Sequence, residues 1–159
     1  MSALKPEIVE KIKSLIHLYP AKQAVTLPAL HLVQDHDRCV SQQAIVEIAA
    51  LLDLSPAEIH DTMTFYGFFK TEHNPLGKCR LWVCRSLACY LRGADDLLNK
   101  LITKLDVAPG QTTKDGLFTL EEAECIGACE GAPCVLINDV HCHNVSDPDK
   151  LIEDLRKKL

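Results

Sequence analysis

The sequence predicts an α+β protein in which a small helical bundle precedes a layer of strands and helices. Apolar residues recur at helical spacing in the N-terminal part, and short β-like runs follow in the C-terminal part. A turn-rich link, HNPLG at 73–77, separates the two patterns. Seven of the eight cysteines lie after this link. We therefore expect a helical domain at 1–77 and a cysteine-rich α+β domain at 78–159.

Four helices are predicted in the first domain. Pro6 suits the first turn of a helix, and a second amphipathic segment covers 27–36. Ser41 is the N-cap of a third helix, while Ser55 and Glu58 form the capping box of a fourth. The fourth helix runs into an aromatic cluster that we assign to the core, with contact to a partner as the alternative: Phe65, Tyr66, Phe68 and Phe69.

The second domain is predicted to alternate strands with helices. We expect a strand at 79–83, a single helix at 87–105 and a strand at 117–120. Asn138-Asp139 predicts a hairpin between strands at 134–137 and 141–145. The sequence SDPD at 146–149 then begins a last helix, whose C-terminal cations suit the helix dipole.

Composition excludes several classes of function. The chain is 47% hydrophobic and 25% charged, which is typical of a globular protein. Seventeen basic against 22 acidic residues, with no basic block, exclude a phosphate-binding nucleic-acid protein. The apolar runs are too short for a transmembrane helix, so we expect no direct membrane insertion. The N-terminus has no apolar signal region, which predicts a cytoplasmic protein, free or peripheral on the cytoplasmic face of the inner membrane through a larger complex.

Two cysteine pairs carry the chemistry. Four residues separate Cys84 from Cys89, and three separate Cys125 from Cys129, each pair beside a predicted strand end. Four thiolates from two loops suit tetrahedral zinc or a 2Fe–2S cluster. The spacing favours the cluster, because zinc knuckles prefer two intervening residues. Zinc and a thiol redox centre stay open as alternatives, although the absence of Cys-x-x-Cys counts against a thioredoxin-type dithiol.

The other polar and thiol groups are given structural roles. Four cysteines are expected to be spare packing thiols: Cys39, Cys79, Cys134 and Cys142. The carboxylates of Glu121, Glu122 and Glu124 are expected at an exposed acidic edge, and His141 and His143 on a solvated strand face. No Gly-x-Gly-x-x-Gly or Walker loop occurs, so the chain has no dinucleotide-binding motif.

Longer segments resemble a known family. VCRSLACYLRGADDLL (83–98), GQTTKDGLFTLEEAECIGACEGAP (110–133) and the following VLIND resemble the thioredoxin-like 2Fe–2S component, the 24 kDa or E type, of NADH:quinone oxidoreductase, complex I. The N-terminal segment LPALHLVQDHDRCVSQQAIVEIAALLDLSPAEIHDTMTFYGFF resembles the same family up to its TFY motif. Close relatives serve in NAD-dependent hydrogenases and formate dehydrogenases.

The resemblance implies a helical partner-docking domain followed by a thioredoxin-like domain. It places one 2Fe–2S cluster on Cys84, Cys89, Cys125 and Cys129, and it implies that the Pro133 peptide bond is cis. FMN and NADH would be bound by a partner flavoprotein, which would assemble with further iron–sulfur subunits. The cluster would exchange single electrons with FMN, so this chain alone would have no complete active site. The first alternative to a complex I subunit is the equivalent subunit of a soluble NAD-dependent hydrogenase or formate dehydrogenase. A free-standing thioredoxin-like 2Fe–2S ferredoxin and a zinc-stabilised interaction protein also remain open.

Overall fold

The computed structural model divides the chain into two units, and the first unit ends at Pro75. The described part of this first unit contains helices and no strand. The structure describes residues 3–159, so the first two residues of the predicted domain 1–77 lie outside the described residues. All four predicted helices are present: α1 (Pro6–Ile16), α2 (Thr26–Asp37), α3 (Gln42–Leu52) and α4 (Pro56–Phe65). A 3-10 turn (Lys22–Val25) leads from α1 to α2.

Local side-chain caps determine where two of these helices begin. Ser41 accepts a hydrogen bond from the backbone N–H of Ala44 at 3.0 Å. Ser55 and Glu58 form the predicted reciprocal capping box at the start of α4. Such caps are worth about 1 kcal/mol each, because they satisfy N–H groups that have no partner inside the helix. Fully buried aliphatic side chains from all four helices form the core of this unit, including Ile12, Leu30, Ile48, Leu52 and Ile59.

The aromatic cluster is only partly a core element. Phe69 is buried and Phe68 is half-buried, as predicted, and the ring of His31 stacks on Phe68 at 5.2 Å. Phe65, in contrast, is 80% exposed, so its assignment to the core is wrong. The buried Gln34 holds the segment after α4, since its amide donates to the Phe68 carbonyl at 3.0 Å. The fourth helix runs into the cluster as predicted, and it ends at the first aromatic residue, Phe65.

The second unit, Leu76–Leu159, contains a mixed five-stranded sheet. Its strands are β1 (Cys79–Cys84), β2 (Gln111–Thr112), β3 (Phe118–Ala123), β4 (Val135–Ile137) and β5 (Val140–Cys142), in the order β2-β3-β1-β4-β5. β1 and β3 are parallel, and the other neighbouring strands are antiparallel. The helices are α5 (Leu87–Leu91), α6 (Ala94–Leu105) and α7 (Pro148–Arg156). β2 was not predicted, because two residues are too few to show a strand period.

The predicted single helix at 87–105 is two helices. Gly93 interrupts it with a φ of +89°, a left-handed conformation that glycine adopts without strain. A single helix would place five residues on one apolar side: Leu91, Ala94, Leu98, Leu101 and Leu105. Leu91 is instead 74% exposed. The rest of that side is retained in α6, where Leu98 is half-buried and the other three are buried.

Glu121 corrects the predicted acidic edge. It is only 7% exposed, whereas Glu122 and Glu124 are exposed as predicted. The carboxylate of Glu121 accepts hydrogen bonds from Arg80 Nε and from the indole N–H of Trp82. Trp82 is its partner in the parallel β1–β3 register, so a neighbouring strand supplies the donors that make burial of this charge tolerable.

The turn between β4 and β5 follows a local signal. Asn138 and Asp139 take positive φ values of 42° and 69°, as the predicted turn requires.

The chain passes close to β3 at Gly77, just before β1. A Cβ atom on Gly77 would lie 2.9 Å from backbone atoms of Leu117 and Phe118. Its N–H donates to Thr119 Oγ1 at 2.7 Å.

No helix within residues 3–159 is long and apolar enough to cross a membrane.

Candidate metal centre

The parallel pairing of β1 with β3 brings the two cysteine pairs to one edge of the sheet. Cys84 is the last residue of β1 and lies in register with Ala123 of β3. Cys89 follows in α5, whose N-cap residue is Ser86. Cys125 comes two residues after Ala123. Because parallel strands end at the same edge, the loops that carry both pairs start side by side.

Three thiols converge in the buried part of this edge. Cys84, Cys89 and Cys134 are each 1% exposed, and their sulfur atoms all lie within 4.8 Å of one another. The Cys89 and Cys134 sulfurs are 3.3 Å apart. Cys134 is a buried thiol, as predicted, but its convergence with the first pair was missed. The backbone explains it, since the N–H of Cys84 donates to the Cys134 carbonyl at 3.2 Å and thereby continues the β1–β4 pairing.

The second predicted pair forms an exposed edge of the site. Cys125 and Cys129 are both exposed, and their sulfur atoms are 3.8 Å apart. Two sulfurs bound to one tetrahedral metal at about 2.3 Å are separated by roughly 3.8 Å. Gly127, between them, takes a φ of +77°, which lets the loop turn back on itself. The pair is therefore spaced for a single metal atom.

Electrostatics distinguish the thiols. Burial raises the pKa of Cys84, but hydrogen bonds from the backbone of Ser86 and Ile126 and from two neighbouring thiols together outweigh it and hold the pKa below its ordinary value. Burial raises the pKa of Cys89 above its ordinary value, and it raises the pKa of Cys134 to about 12. The neighbouring sulfur of Cys125 raises the pKa of Cys129. Cys84 therefore has the strongest thiolate character of these four, while the other three need a metal cation to stabilise their charge.

The segment after Cys129 is packed closely against the β-hairpin. The Ala132-Pro133 peptide bond is cis, as the resemblance implied. Gly131 lies against His143, and a Cβ on Gly131 would come within 2.1 Å of the imidazole Nδ1. His141 and His143 are exposed as predicted, and His141 Nε2 also lies 2.8 Å from the Ile126 carbonyl oxygen. These contacts position the loop that carries the exposed cysteine pair.

The other cysteines lie apart from the thiol group. Cys79 is buried in the core beneath the sheet, and Cys142 packs against that core. Cys39 belongs to the helical unit and is half-buried. Their environments fit the predicted packing roles.

The donor set fits an iron–sulfur cluster. Thiolate sulfur is the ligand that such clusters use, and four thiols in two pairs match the two irons of a 2Fe–2S group. The backbone of Ser86 and Ile126 lowers the pKa of Cys84 and so favours its thiolate form. Hydrogen bonds to cluster sulfurs are a recognised way of tuning the reduction potential of a cluster.

Known proteins are similar to this chain in sequence. Residues 12–158 match the family described as thioredoxin-like 2Fe-2S ferredoxin. Among the relatives are components of NADH-quinone oxidoreductase. Subunit 2 of the Thermus thermophilus enzyme is 35% identical over 143 residues, covering 87% of this chain and 78% of the relative. The E-type component of the Rickettsia typhi enzyme is 36% identical over 152 residues, covering 92% of this chain and 88% of the relative.

Solved structures show a related fold. An NAD+-reducing NiFe-hydrogenase in the H2-reduced state superimposes with a TM-score of 0.72 at 27% identity. The same type of enzyme in the air-oxidized state gives a TM-score of 0.73 at 27% identity. Each match covers 84% of this chain, and the chain spans only 22–23% of the length of the hydrogenase chains.

Proposed function

The chain belongs to the thioredoxin-like 2Fe-2S ferredoxin family, and from this membership we propose that it is the electron-transfer subunit of an NADH dehydrogenase module. The module would be that of NADH:quinone oxidoreductase, complex I, as in the relatives that cover most of the chain. The observation that carries the proposal is the meeting of two cysteine pairs at one sheet edge within a chain that matches the family almost throughout.

We propose Cys84, Cys89, Cys125 and Cys129 as the ligands of one 2Fe–2S cluster. The parallel register of β1 and β3 and the 3.8 Å spacing of the exposed pair support this set. A bound cluster of this type takes up and releases single electrons. The residues of this chain hold one thiol pair inside the protein and the other at the surface. We infer that electrons enter and leave on the side of Cys125 and Cys129, since that side is open to a partner.

The rest of the reaction is assigned to partner subunits. We propose that FMN and NADH bind to a partner flavoprotein, which exchanges electrons with this chain and assembles with further iron–sulfur subunits. The lack of a phosphate-binding motif in the sequence supports this division, so this chain alone would hold no complete active site.

The two parts of the chain would have different roles in that assembly. We propose 1–77 as the partner-docking domain and 78–159 as the redox domain. Phe65, at 80% exposure, is a candidate contact for the flavoprotein. Within the assembled complex, this chain would lie peripherally on the cytoplasmic face of the inner membrane. The chain itself would neither insert into the membrane nor bind nucleic acid.

The equivalent subunit of a NAD-dependent hydrogenase is the second candidate. The TM-scores of 0.72 and 0.73 to NAD+-reducing hydrogenases favour it as a specific alternative. The two candidates predict the same cluster and the same type of flavoprotein partner. They differ in the remaining subunits, which are quinone-linked and membrane-bound in one case and nickel-containing in the other.

The test is anaerobic purification of the chain from its own cells, followed by metal analysis and mass spectrometry of co-purifying subunits. We expect two iron and two sulfide per chain, an electron paramagnetic resonance signal on reduction, and a co-purifying flavoprotein. A colourless protein with stoichiometric zinc would overturn the cluster assignment. A stable chain that carries the cluster but co-purifies with no flavoprotein would instead indicate a free-standing ferredoxin.

A further inference from the structure

Cys134 is a third buried thiol beside the pair formed by Cys84 and Cys89. It is outside the proposed ligand set, yet its sulfur lies 3.3 Å from that of Cys89. All three sulfurs lie within 4.8 Å of one another, and each residue is only 1% exposed. The fold therefore brings three soft donors together.

The size of this group suits one ion. Metal–thiolate bonds of about 2.3 Å place the sulfurs of a three-coordinate ion roughly 4 Å apart. The three buried sulfurs meet this spacing with small side-chain movements. Within residues 3–159, Cys125 and Cys129 are not part of the group that converges within 4.8 Å. A single ion can therefore use the three buried thiols without the exposed pair, whereas a two-iron cluster needs a ligand pair for each iron.

The chemistry of the group selects a soft cation of low coordination number. Thiolates favour Cu(I) and zinc, but structural zinc almost always takes four ligands. The buried apolar neighbours of the three thiols are small: Ala94, Ala128 and Ala132. Within residues 3–159, the group of His, Cys, Asp and Glu ligand atoms that lie within 4.8 Å of one another contains these three thiols and no fourth ligand. A site with three thiol ligands thus matches the low coordination number of Cu(I) better than that of zinc.

We propose that Cys84, Cys89 and Cys134 form a binding site for one Cu(I) ion in the cluster-free chain. Binding forms three metal–sulfur bonds and releases the thiol protons to solvent, with no change in the oxidation state of the metal or sulfur. Cys84 and Cys89 are also proposed cluster ligands, so the ion and the cluster exclude each other. This second consequence rests on the proposed function, while the binding of the ion does not.

The first experiment titrates the full cluster-free chain with Cu(I) under anaerobic conditions, in competition with a chromogenic Cu(I) chelator. We expect the wild type to withdraw one Cu(I) per chain. Cys134→Val and Cys134→Ala should each bind at least about tenfold more weakly, because one of three ligands is lost. Cys142→Val is the matched control, since Cys142 lies in a different apolar cluster and should leave the affinity unchanged. Circular dichroism of each variant verifies that it is folded.

Two outcomes of this titration would overturn the site: no competition by the wild type, or equal affinity in both Cys134 variants. Cu(I) binding that is unaffected by Cys134→Val and abolished by Cys129→Ala would also overturn it, since the ion would then use the exposed pair.

The second experiment assembles the cluster from iron and sulfide with and without one equivalent of Cu(I). We expect Cu(I) to block assembly in the wild type and to block it much less in Cys134→Val, as measured by iron and sulfide content. Equal inhibition of both chains would contradict the proposal. If neither chain assembles a cluster even without copper, the proposed function fails, while the chelator competition still decides the Cu(I) site.

Discussion

Cys84, the last residue of β1, lies in parallel register with Ala123, the last residue of β3. This relationship determines where the two cysteine pairs meet, because each loop leaves the sheet at the same edge. The sequence spacing within each pair is local, but the meeting of the pairs depends on which strands are neighbours.

Replacing one cysteine from each pair should remove the cluster. We expect Cys84→Ala and Cys125→Ala to lose most of the iron, the sulfide and the reduced-state resonance signal, because each takes away one proposed ligand. Cys79→Ala is the control, since Cys79 is buried in the core of the sheet and not in the thiol group. A Cys79→Ala protein without cluster, beside a Cys84→Ala protein that keeps it, would show that the proposed ligand set is wrong.

The buried carboxylate of Glu121 should stabilise the sheet. Glu121→Gln removes the charge that faces Arg80 and weakens the hydrogen bond from Trp82. We expect the free energy of unfolding to fall by about 2 kcal/mol, because a charged group loses its buried partner. Urea denaturation followed by the fluorescence of Trp82, the single tryptophan, measures this change.

The matched control for that variant is Glu122→Gln, one residue further along β3. Glu122 is exposed, so its replacement should change the free energy of unfolding by less than about 0.5 kcal/mol. Equal effects of the two variants would contradict the role of Glu121.

The close approach at Gly77 should not tolerate a side chain. A Cβ there would lie 2.9 Å from backbone atoms of Leu117 and Phe118, which cannot move without disturbing β3. We expect Gly77→Ala to lower the free energy of unfolding by about 1–3 kcal/mol, as overpacking does elsewhere. Gly67→Ala is the control, because its Cβ would meet nothing within 4 Å. Thermal unfolding of both variants tests this, and an unchanged midpoint for Gly77→Ala would contradict it.

The contribution of Asp115 to stability should depend on pH. Its carboxylate accepts from Thr113 and from the Leu117 N–H, and it pairs with Arg156 at 3.1 Å. The Thr113 hydrogen bond is the largest cause that lowers the pKa of Asp115 below its ordinary value. A lowered pKa means that the stabilisation is complete above the unfolded pKa, near 4, and is lost as the pH falls through the folded pKa.

The measurement compares the wild type with Asp115→Asn in urea at each pH. The wild type should be more stable at pH 7 by up to about 1 kcal/mol, a small value because the carboxylate is partly exposed. The difference should shrink towards zero at acid pH, where a protonated aspartate resembles asparagine. Because both proteins would lose an iron–sulfur cluster in acid, only the difference between them at each pH is interpreted. A difference that stays constant into acid would refute the electrostatic origin.

Local signals made much of the fold predictable. Ser55 and Glu58 bond only within the first turn of α4, and Asn138 and Asp139 need only their own backbone angles, so the capping box and the hairpin were found where predicted. The break at Gly93 was also local, but the apolar repeat that continues through it concealed it. The split of the long helix shows that periodicity reports a buried face and not an uninterrupted helix.

The sequence by itself determined the cysteine spacing, the helix starts and the family resemblance, because each depends on residues that are close together along the chain. Only the tertiary structure decided that Glu121 is buried beside Trp82 and that Cys134 lies against Cys89. Both results depend on strand pairing: β3 beside β1 supplies donors to the carboxylate, and β4 beside β1 brings the third thiol to the pair. Strand order arises from contacts between distant segments, and no local pattern encodes it.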